Sequence, residues 1–121
     1  MIEAATRRSW KAGPPPLQRE ELVLPLLFTD LDGERMRLGF IPKDMDDRWF
    51  IFFENGWLYF HRSWTGDCIF GVKLDGFPGG VRVTDAWASR DTSRYNSPGA
   101  EVETAQIESL VRECLLADRA L

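Results

Sequence analysis

One histidine, His61, and two cysteines, Cys68 and Cys114, are the only imidazole and thiol groups in the chain. Zinc sites need Cys and His clustered at short spacing, so neither a structural metal nor a cofactor is expected. Apolar runs are short, and none has the length needed to span a bilayer, so no membrane role is expected. The opening Met-Ile-Glu-Ala-Ala-Thr-Arg-Arg has no apolar stretch after its charges. No signal peptide is read there, which predicts a cytoplasmic protein with free thiols. Fifteen basic residues are interspersed among 19 acidic ones for a net charge of −4, which leaves no broad footprint for a phosphate backbone and sets nucleic acid aside as a partner.

What is present is an ordinary globular composition, 44% apolar and 28% charged over 121 residues, enough for one core. Residues 1–19, with Trp10 and Pro14-Pro15-Pro16, follow neither helical nor strand periodicity and are read as an extended N-terminal arm. Residues 20–121 are read as a single α+β domain. The apolar run Leu22–Phe28 is broken by Pro25, which restricts it to an edge strand or a short buried segment. Thr29-Asp30-Leu31-Asp32-Gly33 reads as an acidic turn, similar to the start of a calcium loop but without its remaining ligands. Met36, Leu38 and Phe40 then alternate with polar residues or glycine, as in a strand.

The strongest local signal is Asn55-Gly56 between two aromatic-rich runs, a two-residue hairpin turn that fixes the register. Phe50 then faces His61, Ile51 faces Phe60, and Trp49 faces Arg62. A three-residue loop around Gly66 leads into a strand from Cys68 to Leu74, with Ile69 opposite His61. This register puts Ile51, Phe53, Leu58, Phe60, Cys68, Phe70 and Val72 on a core face. Phe50, Phe52, Trp57, Tyr59, His61, Ser63 and Ile69 fall on a second, aromatic face, which either the arm or a ligand must cover.

Asp75–Gly80 reads as a loop without regular structure, and Val81, Val83, Asp85 and Trp87 as one side of a further strand. Ser97-Pro98 reads as a helix start with Glu101 and Glu103 in its first turns. Ile107, Leu110, Val111, Cys114, Ala117 and Leu121 follow at helical spacing. The expected fold is therefore α+β: an antiparallel meander of about four to six strands with a C-terminal α-helix packed on one face.

Two clusters carry candidate chemistry. His61, Arg62, Ser63 and Trp64 end a strand and form its turn. His61 and Ser63 share a face roughly 7 Å apart along the backbone, too far for a direct general-base bond. Stacking of His61 on Phe50 and of Arg62 on Trp49, with Ser63 and Thr65 capping the turn, accounts for them structurally; an anion or nucleotide held by His61 and Arg62 beside Trp57 or Trp64 accounts for them functionally. Asp85, Trp87, Arg90, Asp91, Arg94 and Tyr95 form the second cluster, either a set of salt bridges or an anion clamp.

The strings Trp49-Phe50-Ile51-Phe52-Phe53 and Trp57-Leu58-Tyr59-Phe60-His61-Arg62-Ser63-Trp64-Thr65-Gly66 resemble an uncharacterised family of small bacterial proteins sharing a WFxxF…WLYFHRSWTG core. The resemblance covers the middle third to half of the chain and implies a bacterial, cytoplasmic origin, with no activity to carry over. Two function classes follow from the residues. The first is a binding module that uses the aromatic face through Trp57, Tyr59 and His61 to meet a protein partner. The second is a small enzyme or ligand-binding domain for a nucleotide-like or phosphorylated anion, served by His61, Arg62, Arg90 and Tyr95. Open sheet edges would also permit a homodimer.

Overall fold

The computed structural model describes residues 3–117. The expected α+β architecture is found. Strands β1 (Arg19–Glu21), β2 (Leu27–Thr29), β3 (Trp49–Glu54), β4 (Trp57–Arg62), β5 (Cys68–Phe77) and β6 (Gly80–Ser89) form one antiparallel sheet in the order β1-β6-β5-β4-β3, with β2 also paired to β6. Helix α1 (Asp30–Leu38) precedes β3, and α2 (Ala100–Leu110) runs on into wider π-helical turns from Val111 to Leu116.

The edge follows from Pro25. Strands β1 and β2 lie in tandem along β6, and Leu22 and Leu26 continue the pairing between them through bonds with Ala86 and Val83. Proline has no N–H to donate, so it is tolerated where the outer side of the strand faces solvent.

Residues 29–38 do not form the expected turn and strand. Thr29 caps a helix, its hydroxyl accepting from Asp32 N–H at 3.1 Å. Asp30 and Asp32 stand in the first turn and Arg35 and Arg37 in the last, the arrangement that the helix dipole favours. The alternation of Met36, Leu38 and Phe40 arises because Met36 and Phe40 are buried by different elements, one on the helix and one bridging Ile51 beyond it.

The Asn55-Gly56 turn has positive φ at both residues, 53° and 90°, and the β3–β4 register is the one expected, Trp49↔Arg62 through Glu54↔Trp57. Two β-bulges correct the rest. Phe60 pairs with Phe70, but His61 pairs with Cys68, so Ile69 is the extra residue. The bulge puts Cys68 on the His61 side and lets Ile69 join the core, reversing the expected faces of both. In β6, Lys73↔Asp85 is followed by Leu74↔Val83, leaving Thr84 extra. Val81 and Val83 share the core side with Ala86 and Ala88, while Asp85 and Trp87 lie on the other face. Strands β5 and β6 also extend through the segment expected to be an irregular loop, which shrinks to a tight turn at Pro78-Gly79.

Both helical segments cover one face of the sheet. Met36, Ile107, Leu110, Val111 and Leu115 pack in one cluster with Ile51, Leu58, Phe60, Phe70 and Val72. Each such buried side chain stabilises the fold by about 1.5–3 kcal/mol. The second helix starts at Ala100, two residues later than Ser97-Pro98 suggested, and its wide final turns bring Leu115 into the core while Cys114 is half-buried. Ala117 is exposed, and Leu121 lies outside the described residues. Among the described residues, no helix is long and apolar enough to cross a membrane.

Candidate functional site

The arm covers one end of the aromatic face. Ala5 N–H donates to the Leu38 carbonyl at 2.7 Å, and Gly13 N–H to the Gly66 carbonyl at 2.7 Å. Between them the Trp10 indole donates to the Ser63 carbonyl at 2.7 Å and the Lys11 ammonium to the Trp64 carbonyl at 3.1 Å. Arg7 grips Glu54 through two bonds. Beneath the arm, Ala5, Phe50 and Phe52 form a second small core, with Ile41 and Tyr59 at its margin.

His61 is sealed in that end, 1% exposed, stacked on Phe52 at 5.2 Å and beside Phe50 at 5.7 Å. Among the described residues its Nδ1 has no hydrogen-bond partner. Burial pulls its pKa below the usual imidazole value, and backbone groups of Gly13, Phe50 and Tyr59 pull weakly the other way, so it is neutral at pH 7. A cavity of about 370 Å³ lies alongside, lined by Arg7, Ala12, Gly13, Pro14, Pro15, Phe52, Tyr59 and His61. The Ser63 hydroxyl donates to the Asp47 carbonyl at 2.7 Å instead of meeting His61. The two therefore form no nucleophile–base pair.

The other end of the aromatic face stays open. Pro15, Pro16 and Leu17 form one wall of a cleft of about 630 Å³, with Trp57, Tyr59 and Trp87 on its floor and Arg19, Glu21 and Asp85 at its rim. Trp87 lies flat across β5 because Gly71 stands beneath it; a Cβ there would overlap the indole. The rings form a row, Tyr59–Trp57 and Trp57–Trp87 each with centroids 6.5 Å apart, and the Arg19 guanidinium sits 5.0 Å above Trp87.

Arg62 points away from His61, as neighbours on a strand must. It stacks 5.0 Å from the Trp49 ring and lines a third cavity, about 490 Å³, with Arg48, Trp64, Thr65, Asp67, Arg94, Tyr95 and Asn96. Arg94 bonds Asp67 at 2.9 Å, and the Trp64 indole donates to the Met45 carbonyl at 3.0 Å.

Arg90 belongs to none of these cavities. Its guanidinium grips Glu103 through two bonds of 2.8 and 2.9 Å and also holds Glu20 at 2.9 Å. Tyr95 and Ser97 hydroxyls complete the set on Glu103, at 2.7 and 3.0 Å. Burial alone would raise the Glu103 pKa, but the bonds from Arg90, Tyr95 and Ser97 outweigh it and hold the carboxyl below its usual range. Burial and the bond to Glu103 push the Tyr95 phenol up. Glu103 stands in the first turn, where the sequence places it, and is buried there; the signal for its burial is its position four residues before Ile107, on the same helical face.

The residues singled out from sequence thus separate. Trp57 and Tyr59 floor the open cleft; His61 lies under the arm; Arg62, Trp64 and Tyr95 line the arginine pocket; Ser63 ties down the turn; and Arg90 is occupied by carboxylates. Neither His61 nor Arg90 joins Arg62, so the convergence that an acid/base site with an anion clamp needs is not formed. No family model, curated protein or solved structure matches the chain.

Proposed function

We propose that the protein is a small binding module that holds an extended segment of a partner protein in the cleft between its proline arm and the Trp57–Tyr59–Trp87 row. The observation that supports this reading most is the row itself: three aromatic rings set side by side, with Gly71 making room for Trp87. Tryptophan and tyrosine supply most of the anchor energy in protein interfaces, and aromatic-lined grooves suit extended, proline-containing segments. The constellations that would favour catalysis on this face are missing among the described residues, since His61 is enclosed and Ser63 is engaged elsewhere.

The test is selection of binders from a displayed peptide library, followed by affinity measurement against the wild type and a folded Trp57→Ala variant. Enrichment of proline and bulky apolar residues, with affinity lost in the variant, supports the reading. Selected peptides that bind Trp57→Ala as tightly as the wild type refute it.

A further inference from the structure

We propose that the pocket formed by Arg48, Arg62 and Arg94 binds a mononucleotide, its phosphate on the arginines and its base over Trp64. This site shares no lining residue with the aromatic cleft, so it stands or falls independently of the partner-binding reading.

The argument starts from charge. In a chain with an excess of acidic residues, this pocket is lined by three guanidiniums and one carboxylate, Asp67. Arg94 is matched, by Asp67 at 2.9 Å and Asp91 at 3.7 Å. Arg48 and Arg62 are not: among the described residues neither guanidinium has a carboxylate or a hydrogen bond, and Arg62 is held only by its stacking on Trp49. Two guanidiniums without a carboxylate on one concave surface leave their donors available to an anion. A phosphate monoester carries about −1.5 to −2 charges at neutral pH and offers oxygens that the planar guanidinium fork grips in pairs.

The rest of the lining supplies the other half of such a ligand. Trp64 is 56% exposed, yet its indole is fixed by the bond to Met45, so it presents a held ring to solvent. Bases stack on such rings with little dependence on sequence. Thr65 and Asn96 add polar groups at the wall, and about 490 Å³ lies within the range of pockets for small ligands. With a net charge of −4 the chain offers no broad basic footprint of the kind a polynucleotide backbone needs, which favours a mononucleotide.

The experiment is a tryptophan-fluorescence and calorimetric titration of the wild-type protein with AMP, adenosine, ribose 5-phosphate and inorganic phosphate, and with a phosphotyrosine peptide. AMP should bind saturably, and adenosine and ribose 5-phosphate should each bind roughly tenfold or more weakly. Arg48→Ala, which removes no side-chain hydrogen bond or ion pair among the described residues, and Trp64→Leu should each weaken AMP by a similar factor. Arg62→Lys, which keeps the charge and loses the fork, should do the same if Arg62→Ala does not fold. The proposal is overturned if no nucleotide binds at millimolar concentration, if adenosine binds as well as AMP, if Arg48→Ala leaves AMP binding unchanged, or if only the phosphopeptide binds.

Discussion

Arg90 offers an internal control, because one guanidinium holds two carboxylates in opposite environments. Glu103 is 0% exposed and Glu20 is 52% exposed at the side chain, while Arg90 itself is 25% exposed. Replacing Arg90 by Ala leaves the buried carboxylate with only Tyr95 and Ser97, and stranding one member of a buried pair costs about 3–5 kcal/mol. Replacing Glu20 by Ala removes a solvated partner, worth about 0–1 kcal/mol. A small domain has a total stability of about 5–15 kcal/mol, so the two variants should differ plainly in urea melts followed by circular dichroism. The pH dependence gives a second, signed readout. In the wild type the Glu103 pKa is depressed, so its contribution is present above its unfolded value and is lost as pH falls through the folded one. In Arg90→Ala burial opposes ionisation with less compensation and raises that pKa above its unfolded value, so the variant should gain stability as pH is lowered through the folded value toward the unfolded one by protonation of Glu103. An Arg90→Ala protein no less stable than Glu20→Ala, or one with the wild-type pH profile, would refute the reasoning.

Two further perturbations probe the aromatic face. His61 has a depressed folded pKa, so the fold is at its full stability above the unfolded value of 6.5 and loses stability as pH falls from there toward the folded value; urea midpoints measured across that window should slope in the wild type and be flat in His61→Phe, and equal slopes would rule the histidine out. Gly71→Ala forces a methyl group into the Trp87 ring and should cost about 1–3 kcal/mol together with a change in the near-ultraviolet circular dichroism of the Trp57–Trp87 pair; an unchanged melt and spectrum would show that Trp87 does not depend on the missing side chain.

The hairpin was legible because Asn55-Gly56 is a local signal that fixes a non-local register, and six pairs follow from two residues. Helix α1 is hidden in the sequence although its marks are present: Thr29 at the cap, acids then bases along the turns, and Met36 facing inward. Nine residues with one buried side chain large enough to mark a stripe give little helical period, and the two-residue alternation of Met36, Leu38 and Phe40 wins by coincidence. Bulges are harder still. A single extra residue at Ile69 or Thr84 leaves composition and turn signals untouched, yet reverses which side chains face the core beyond it. At the candidate site, the stacking of Arg62 on Trp49 follows from register alone. The pocket shared by Arg48, Arg62 and Arg94 depends on how the loop after β6 folds back, which no local pattern records.

The arm changes what the aromatic composition means for binding. Eight phenylalanines, five tryptophans and two tyrosines suggest a broad sticky face, but Phe50 and Phe52 are consumed with Ala5 in a core of the protein's own. His61 is closed in with them. What remains of this face for a partner is the row of Trp57, Tyr59 and Trp87, of which Trp87 is 6% exposed and has the Arg19 guanidinium over its ring. Association is driven by apolar area that can still be removed from water, and a face-to-face domain interface of ordinary size needs about 800 Å² on each side. A row of three rings walled by Pro15, Pro16 and Leu17 is a trough, not a plain. Its shape admits a chain in extended conformation, which can lay side chains on Trp57 and Tyr59 while its backbone stays outside. That geometry is why the proposed partner is a segment rather than a folded surface.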